Sequence, residues 1–366
     1  MKPISVFIVL TFHLTTMAST ASPQPRILFS PKHYICYRTP GPIQVDGKLN
    51  ELAWEKAEWT SDFVDIEGPL KPMPRFRTRA KMLWDDAFLY IAAEMEEPHV
   101  WATLREHDAV IFHDNDFEVF IDPDGDTHRY YEFEMNAFGT WWDLFLDRPY
   151  RNSGNPVNSW EIRGIQVGVA VNGTINVPAD RDQGWTVEIA FPFAVLKENV
   201  PGGKPPVAGD QYRLNFSRVE WQVDIVDGRY RKRNDPQTGK PLPEDNWVWS
   251  PQGLVDMHYP EMWGFLQFSD KIAGNGTDAF KENPEEKTKW LLRQIYYAEH
   301  AYYRKHQSYT ADLVNLDLKE YAQEVKSFAP EIQHTWQLFE AKLTDPVTTA
   351  VWHINSDGRV WKETRE

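Results

Sequence analysis

The stretch "HDNDFEVFIDPDGD", residues 113–126, alternates acidic and apolar side chains and then ends in a run of turn-forming residues. Successive side chains of a β-strand point to opposite faces. The alternation predicts a strand that places Phe117, Val119 and Ile121 in a core and Glu118 on the opposite face. The acidic groups are compatible with three roles: a calcium loop, a catalytic carboxylate cluster, or a solvated turn at the end of a strand.

The same two-residue period continues between about residues 76 and 268. Turn residues separate at least eight such segments, and no long helix is predicted between them. Parallel strands would need crossover helices, so the pattern predicts a mainly β fold, an antiparallel β-sandwich over residues 33–270. A polar, Pro- and Gly-rich stretch from Asp227 to Pro243 predicts a long loop. The segments are "RFRTRAKMLW", "AFLYIAAEME", "DFEVFID", "RYYEFEMN", "FGTWWDLFLD", "EIRGIQVGVAV", "GWTVEIAF" and "QYRLNFSRVEW".

The pattern changes after Asp270. Residues 271–283 are predicted to be a linker, and residues 284–366 a small α+β domain with one helix followed by strands. The helix is predicted from apolar residues at helical spacing, including Trp290, Leu291 and Ile295. Its order of elements is weakly similar to the globular part of type IV pilin-like proteins.

Composition and the N-terminus restrict the class of protein. The net charge of −15 argues against a nucleic-acid partner, which needs a basic face. Residues 1–22 have the pattern of an export signal, whose apolar run is too short to span a bilayer. The expected location is therefore periplasmic, cell-surface or secreted. Cys36 is the sole cysteine, so no intrachain disulfide is expected, and a buried thiol is predicted.

The acidic turn was compared with the EF-hand pattern. Asp122, Asp124 and Asp126 have the first three spacings, but Thr127 replaces the required glycine and Phe133 the bidentate glutamate. The loop is therefore not an EF-hand. Two interpretations remain, a solvated hairpin turn and a looser structural calcium site formed by the three aspartates. No other cofactor is expected.

Carboxylates also suggest an enzyme. Glu118 and, on the next predicted strand, Glu132 and Glu134 can share one polar face of the sheet. Glycoside hydrolysis uses two carboxyl groups across a cleft, so these residues are candidates for acid–base chemistry. No other catalytic motif accompanies them: the chain contains no HExxH, no nucleophile elbow and no phosphate-binding glycine loop.

Aromatic residues crowd the stretch "NWVWSPQGLVDMHYPEMWGFLQF", residues 246–268. Flat aromatic faces pack against the C–H surfaces of sugar rings, while amide and charged groups orient the hydroxyls. The same rings could instead cap the sandwich core, Trp263 above all. For the cluster as a whole, a binding site is favoured.

Six ordered blocks resemble family 9 carbohydrate-binding modules, and the similarity covers about residues 34–269. The resemblance implies a β-sandwich that binds sugars, with structural calcium known in the family. The blocks are "VDGKLNELAWEKA", "AKMLWDDAFLYIAAEMEEP", "DNDFEVFIDPDGD…YYEFEMNAFGT", "GWTVEIAFPFAVL", "YRLNFSRVEW" and "WSPQGLVDMHYPEMWGFLQF".

The resemblance also implies site residues. Members of the family clamp a terminal sugar between two tryptophans; Phe112 stands at the first position, and Met257, His258 and Tyr259 lie where the second is expected. An arginine expected near Glu134 is replaced by acid. We therefore predict a stacking wall and a set of polar groups that orient hydroxyls. The stacking wall is formed by Phe112, Trp249 and His258, and the polar groups are Glu118, Asn136 and Arg218.

The function predicted from the sequence is non-catalytic binding of a polysaccharide or its oligosaccharide fragments by an exported protein, in a polysaccharide-degradation context. Two alternatives remain open. One is a glycoside hydrolase or lyase with carboxylates near Glu118. The other is a cell-surface assembly protein that binds protein partners.

Overall fold

The computed structural model describes residues 24–364, so the predicted export signal lies outside the described residues. Strands dominate, and four α-helices accompany them. The strands are β1 His33–Arg38, β2 Val64–Asp65, β3 Thr78–Trp84, β4 Phe88–Glu96, β5 Asp116–Asp122, β6 Tyr130–Asn136, β7 Trp141–Leu146, β8 Pro156–Val157, β9 Gln166–Asn172, β10 Gly184–Pro192, β11 Gln211–Glu220, β12 Val223–Val226, β13 Arg229–Lys232, β14 Asp245–Val248, β15 Gly264–Ile272, β16 Glu331–His334, β17 Phe339–Thr344, β18 Val351–Asn355 and β19 Val360–Lys362. The helices are α1 Leu52–Lys56, α2 Phe193–Leu196, α3 Glu286–His306 and α4 Ala322–Ser327.

One continuous sheet folds over itself to make the sandwich. Its strand order is β8-β7-β6-β5-β11-β15-β1-β3-β4-β10-β9, with β14 beside β11 and β2 beside β14. The alternating apolar residues of its two halves face each other, as where the rings of Phe133 on β6 and Phe191 on β10 meet edge to face at 5.6 Å. Phe117, Val119 and Ile121 enter this core, which confirms the predicted face of β5.

Strand β1 departs from the predicted antiparallel arrangement. It pairs in parallel with both β15 and β3, whereas the other strand pairs within residues 24–364 are antiparallel. Since β15 and β3 run in the same direction, a strand inserted between them is parallel to both or to neither. Cys36 on this strand is fully buried, as predicted.

The stretch predicted as a long loop contains a hairpin. Strands β12 and β13 pair across Val226–Arg229, and an isolated bridge joins Asn234 to Pro241. Of the Pro and Gly residues that suggested a loop, Gly228 lies in the turn between β12 and β13, and the others lie beyond the end of β13. The prediction of an uninterrupted loop from Asp227 to Pro243 is therefore wrong in its first third.

The C-terminal unit packs α3 against a four-stranded antiparallel sheet in the order β16-β17-β18-β19. Leu291 and Ile295 of α3 are fully buried there, as their spacing predicted. Leu254, Tyr259 and Met262, from the loop before β15, belong to the same apolar cluster. This loop therefore contributes to the core of the C-terminal unit.

The predicted linker, 271–283, lies against the sandwich. Gln267 on β15 donates from Nε2 to the Ala279 carbonyl (2.9 Å) and accepts at Oε1 from the Lys281 amide (2.8 Å). The ring of Phe280 stacks on His33 at 4.4 Å. Within residues 24–364, no helix combines the length and apolarity that a bilayer span needs.

Candidate functional site

The outer face of strands β5, β6, β7, β11 and β14 forms a concave surface. Because β5 and β6 are antiparallel neighbours, Glu118 lies directly opposite Glu134, and Phe120 lies opposite Glu132. The next strand continues the row, with Trp142 opposite Glu134. The prediction that Glu118, Glu132 and Glu134 share one face is confirmed, and the register explains why.

A cavity of about 290 Å³ opens on this surface. Three glutamates form its floor, and aromatic rings form much of its wall. The rim comes from residues 244 and 246, at the start of β14, and from the loop at residues 255–258. The floor residues are Glu118, Glu132 and Glu134; the aromatic residues are Phe112, Phe120, Trp142 and Tyr150; the rim includes Glu244, Asn246, Val255, Asp256, Met257 and His258.

Two aromatic residues of the cavity wall expose part of their rings, and one of them carries a polar atom. Phe112 and Trp142 are only partly buried. The Trp142 Nε1–H has no hydrogen-bond partner among the described residues. A buried indole N–H usually finds an acceptor, so this donor lacks the partner that such a group normally has.

His258 is held in place by its neighbours. Its Nδ1 shares a hydrogen bond of 2.8 Å with the Tyr130 hydroxyl, and its ring meets Tyr150 edge to face at 4.4 Å. Burial lowers the pKa of His258 to about 3, and the positive charge of Arg151 adds to the effect. The imidazole is therefore neutral at physiological pH and presents a hydrogen-bonding group to the cavity.

The floor carboxyl groups have unusual electrostatics. Burial raises the pKa of Glu118 to about 7, and the negative charge of Glu244 contributes in the same direction. Burial, followed by repulsion from Glu118, raises the pKa of Glu132 and Glu134 well above the usual range. Among the described residues that line the cavity, none is Lys or Arg. Without cations to stabilise them, these groups favour their protonated forms near neutral pH.

Three of the six predicted binding residues come together. Phe112, Glu118 and His258 all line the cavity, although they come from a 3₁₀ turn, a strand and a loop.

Asn136 and Arg218 do not reach the cavity. The Asn136 side chain is buried, donates to the Leu104 carbonyl and Asp114, and accepts from the backbone of the following turn. Arg218 is fully buried and forms ion pairs of 2.9 Å with Glu97 and Glu220. Their assignment as sugar-orienting groups is therefore corrected: both stabilise the protein itself.

Trp249 is also in the wrong place for a stacking wall. Its ring is 1% exposed and lies in the sandwich core beside Phe216 and Gly264. Trp247 is buried in the same core, and Trp263 is buried beneath Phe120. These three tryptophans fill the interior, so the core-capping interpretation of the aromatic stretch holds for them.

Trp142, Tyr150 and Asn246 also line the cavity, although they were not predicted from the sequence. Trp142 could have been found, because the tight turn between β6 and β7 sets the register that places it beside Glu134. Tyr150 lies in a short 3₁₀ turn, and Asn246 on a short strand beside β11. Neither position carries a local sequence pattern that marks it.

Asp122, Asp124 and Asp126, the predicted calcium ligands, come within 4.8 Å of one another through one oxygen each. Protein donors already occupy these oxygens. Asp122 accepts the amides of Gly125 and Thr127, and Asp126 accepts Nε of Arg359 at 2.8 Å. The trio fits a hydrogen-bonded turn better than a cation site, and calcium binding there stays a prediction.

Comparisons with known proteins found several similar solved structures and one matching family. Among solved structures, a family 9 carbohydrate-binding module from Caldicellulosiruptor kristjanssonii in complex with cellotriose is 14% identical, with a TM-score of 0.43, and the match covers 69% of this chain and 100% of that one. A candidate carbohydrate-binding protein from Bacteroides uniformis is 19% identical, with a TM-score of 0.45, over 66% of this chain and 100% of that one. No curated protein matches the chain significantly.

The family comparison covers the part of the chain that builds the cavity floor. The profile of the family described as "Carbohydrate family 9 binding domain-like" matches residues 45–238, more than half of the 366 residues. The similarity of the C-terminal unit to pilin-like proteins stays a prediction. The chain therefore belongs to the carbohydrate family 9 binding domain-like family.

Proposed function

We propose that this protein is an exported, non-catalytic carbohydrate-binding protein whose cavity holds part of a polysaccharide or an oligosaccharide, in the context of polysaccharide degradation. The observation that carries the proposal is the cavity itself, in which exposed aromatic surface lies beside hydrogen-bonding groups. Membership of the family supports the same function. The pattern of residues 1–22 supports export.

The cavity residues would contact a sugar in two ways, through aromatic rings and through hydrogen bonds. The partly exposed rings of Phe112 and Trp142 offer faces to the apolar side of a sugar ring. Asn246, His258 and the floor glutamates accept or donate hydrogen bonds to its hydroxyls. With few such contacts, we expect an affinity of roughly micromolar to millimolar.

The electrostatics favour binding over hydrolysis. A glycosidase needs one protonated and one ionised carboxyl group across the bond it cleaves. Here burial raises the pKa of Glu118, Glu132 and Glu134 together, and no cation of the lining holds any of them ionised. This shared shift does not mark one of the three groups as an acid and another as a nucleophile or base, so the cavity supports binding better than turnover.

The proposal predicts which exposed tryptophan contributes to glycan affinity. In an affinity-gel and titration screen against plant, algal and host glycans, with cello-oligosaccharides as first probes, Trp142→Ala should weaken binding roughly tenfold or more. Trp336→Ala is the matched control, because Trp336 is 64% exposed and does not line the cavity. It should leave the affinity unchanged.

Three other outcomes would contradict the proposal or favour one of the alternatives. Absence of binding across the whole panel contradicts the proposal, and self-association without any glycan effect favours the assembly protein. Turnover that disappears in Glu118→Gln while binding persists favours the enzyme.

A further inference from the structure

One group of acidic side chains at the cavity floor is not explained by sugar binding. Asp116 and Glu118 on β5 and Glu134 on β6 each place one carboxylate oxygen within 4.8 Å of the other two. The register of the two strands forces this arrangement, because Glu118 and Glu134 are directly paired and Asp116 is the next residue on the same face.

Unpaired oxygens provide a second observation. Asp116 is 0% exposed, and its Oδ2 has no hydrogen-bond partner among residues 24–364. Glu132 is 5% exposed, lies beside the group and also has one oxygen without a partner. Buried acceptors are normally satisfied, so these two atoms indicate a ligand that is not part of the chain.

Two buried arginines among the described residues are paired with other carboxylates. Arg218 is committed to Glu97 and Glu220, and Arg151 to Glu261. Three carboxylates this close in an apolar setting cannot all stay ionised unless a positive charge joins them. By contrast, the Asp122 trio described above is already satisfied by backbone amides and arginines.

We infer that Asp116, Glu118 and Glu134 form a binding site for a hard divalent cation of the Ca²⁺ type at the floor of the cavity. All three donors are carboxylate oxygens, which such ions prefer. Three such oxygens within 4.8 Å of one another are close enough to bind one ion together.

The location assigns the ion a role in recognition. Glu118 and Glu134 line the cavity, while Asp116 holds the ion from the buried side. Open coordination positions would face the sugar, whose hydroxyls are oxygen ligands. This role rests on the proposed function, but ion binding itself does not.

Calorimetric titration of Ca²⁺ into chelator-treated protein tests the site. Wild type should bind one ion here, and Asp116→Asn or Glu134→Gln should weaken that binding at least tenfold. Both substitutions keep an acceptor for the backbone amide that each residue binds, Val219 for Asp116 and Phe112 for Glu134. Without Ca²⁺, both variants should melt near the wild-type temperature, because each replaces a buried acid by an amide of the same size.

Asp124→Asn is the discriminating comparison, since it alters the trio of carboxylates in the acidic turn. If it abolishes Ca²⁺ binding while Asp116→Asn and Glu134→Gln do not, the site is at the acidic turn and the inference is wrong. Absence of Ca²⁺ binding by wild type overturns it as well. Should either floor variant fail to fold, Glu118→Gln provides the same test.

Two further titrations separate this inference from the proposed function. Glycan binding that is unchanged by chelator, together with Ca²⁺ binding lost in Glu134→Gln, supports the ion site but removes its role in recognition. Binding of glucosamine, with no binding of Ca²⁺ or glucose, shows that the carboxylates hold an ammonium group and overturns the metal site.

Discussion

Gly264 shows how tightly the core around the predicted sugar-binding tryptophan is packed. A Cβ at this position would lie 2.4 Å from the Trp249 ring, too close for any real contact. The Trp249 ring can therefore occupy this interior position only because Gly264 on β15 has no side chain. The sequence "WVW" suggested an exposed aromatic wall, but only the pairing of distant strands shows which ring is covered.

Gly264→Ala should lower the free energy of unfolding by about 1–3 kcal/mol, because the added methyl overpacks the core. Urea denaturation followed by circular dichroism measures the change. Gly41→Ala is the control, since no atom lies within 4 Å of its Cβ position, and it should shift stability by no more than about 0.5 kcal/mol. Equal stabilities for the two variants would contradict the packing described here.

At the scale of elements, most of the strands were predictable, since alternation along one strand depends only on local sequence. Strand β5 begins and ends at the predicted residues. In the C-terminal unit, the exposed Trp336 and Leu338 lie between β16 and β17 and interrupt the alternation there. The cavity itself was only partly predictable, because its walls come from loops whose positions depend on tertiary packing.

Helix α3 carries a buried acid with a predictable effect on stability. Glu299 is 0% exposed, accepts the Thr310 amide through one oxygen, and burial raises its pKa to about 7. In the unfolded chain a glutamate has a pKa of about 4.3, so between these two values the folded protein binds more protons. The contribution of Glu299 to stability therefore falls as pH rises from about 4.3 to about 7.

Glu299→Gln keeps an acceptor and removes this titration. The loss of unfolding free energy between pH 5 and pH 8 should become smaller by roughly 1–3 kcal/mol, as measured by denaturant titration at both values. Glu320→Gln is the control, because Glu320 is exposed. If both variants lose stability with pH as steeply as wild type, Glu299 does not titrate as described.

At the scale of the whole molecule, the sequence pattern indicates two domains, but side-chain contacts connect the two closely. Glu261, in the loop before β15, pairs with Arg151 and accepts the Tyr297 hydroxyl of α3. Arg293 of α3 is 2% exposed and donates to Thr127 in the acidic turn. These contacts connect residues far apart in sequence, which no local pattern reveals. The loop they stabilise also carries His258 of the cavity rim.

Such shared packing predicts that sandwich and C-terminal unit unfold together. Ile295→Ala, which removes a fully buried side chain of α3, should destabilise the protein by about 2–5 kcal/mol. Tryptophan fluorescence and far-UV circular dichroism should show the same single transition, shifted to lower denaturant. Two separate transitions, only one of which moves, would show that the units are independent.

The central claim is that carbohydrate binds on the outer face of β5, β6 and β7. Hydrogen–deuterium exchange, with and without the tightest glycan from the screen, tests it most directly, because protection reports where the ligand lies. We predict protection in peptides from residues 112–146 and 244–258, and none in the β16–β17 hairpin. Protection confined to other parts of the chain, or no change at saturating glycan, would contradict the account.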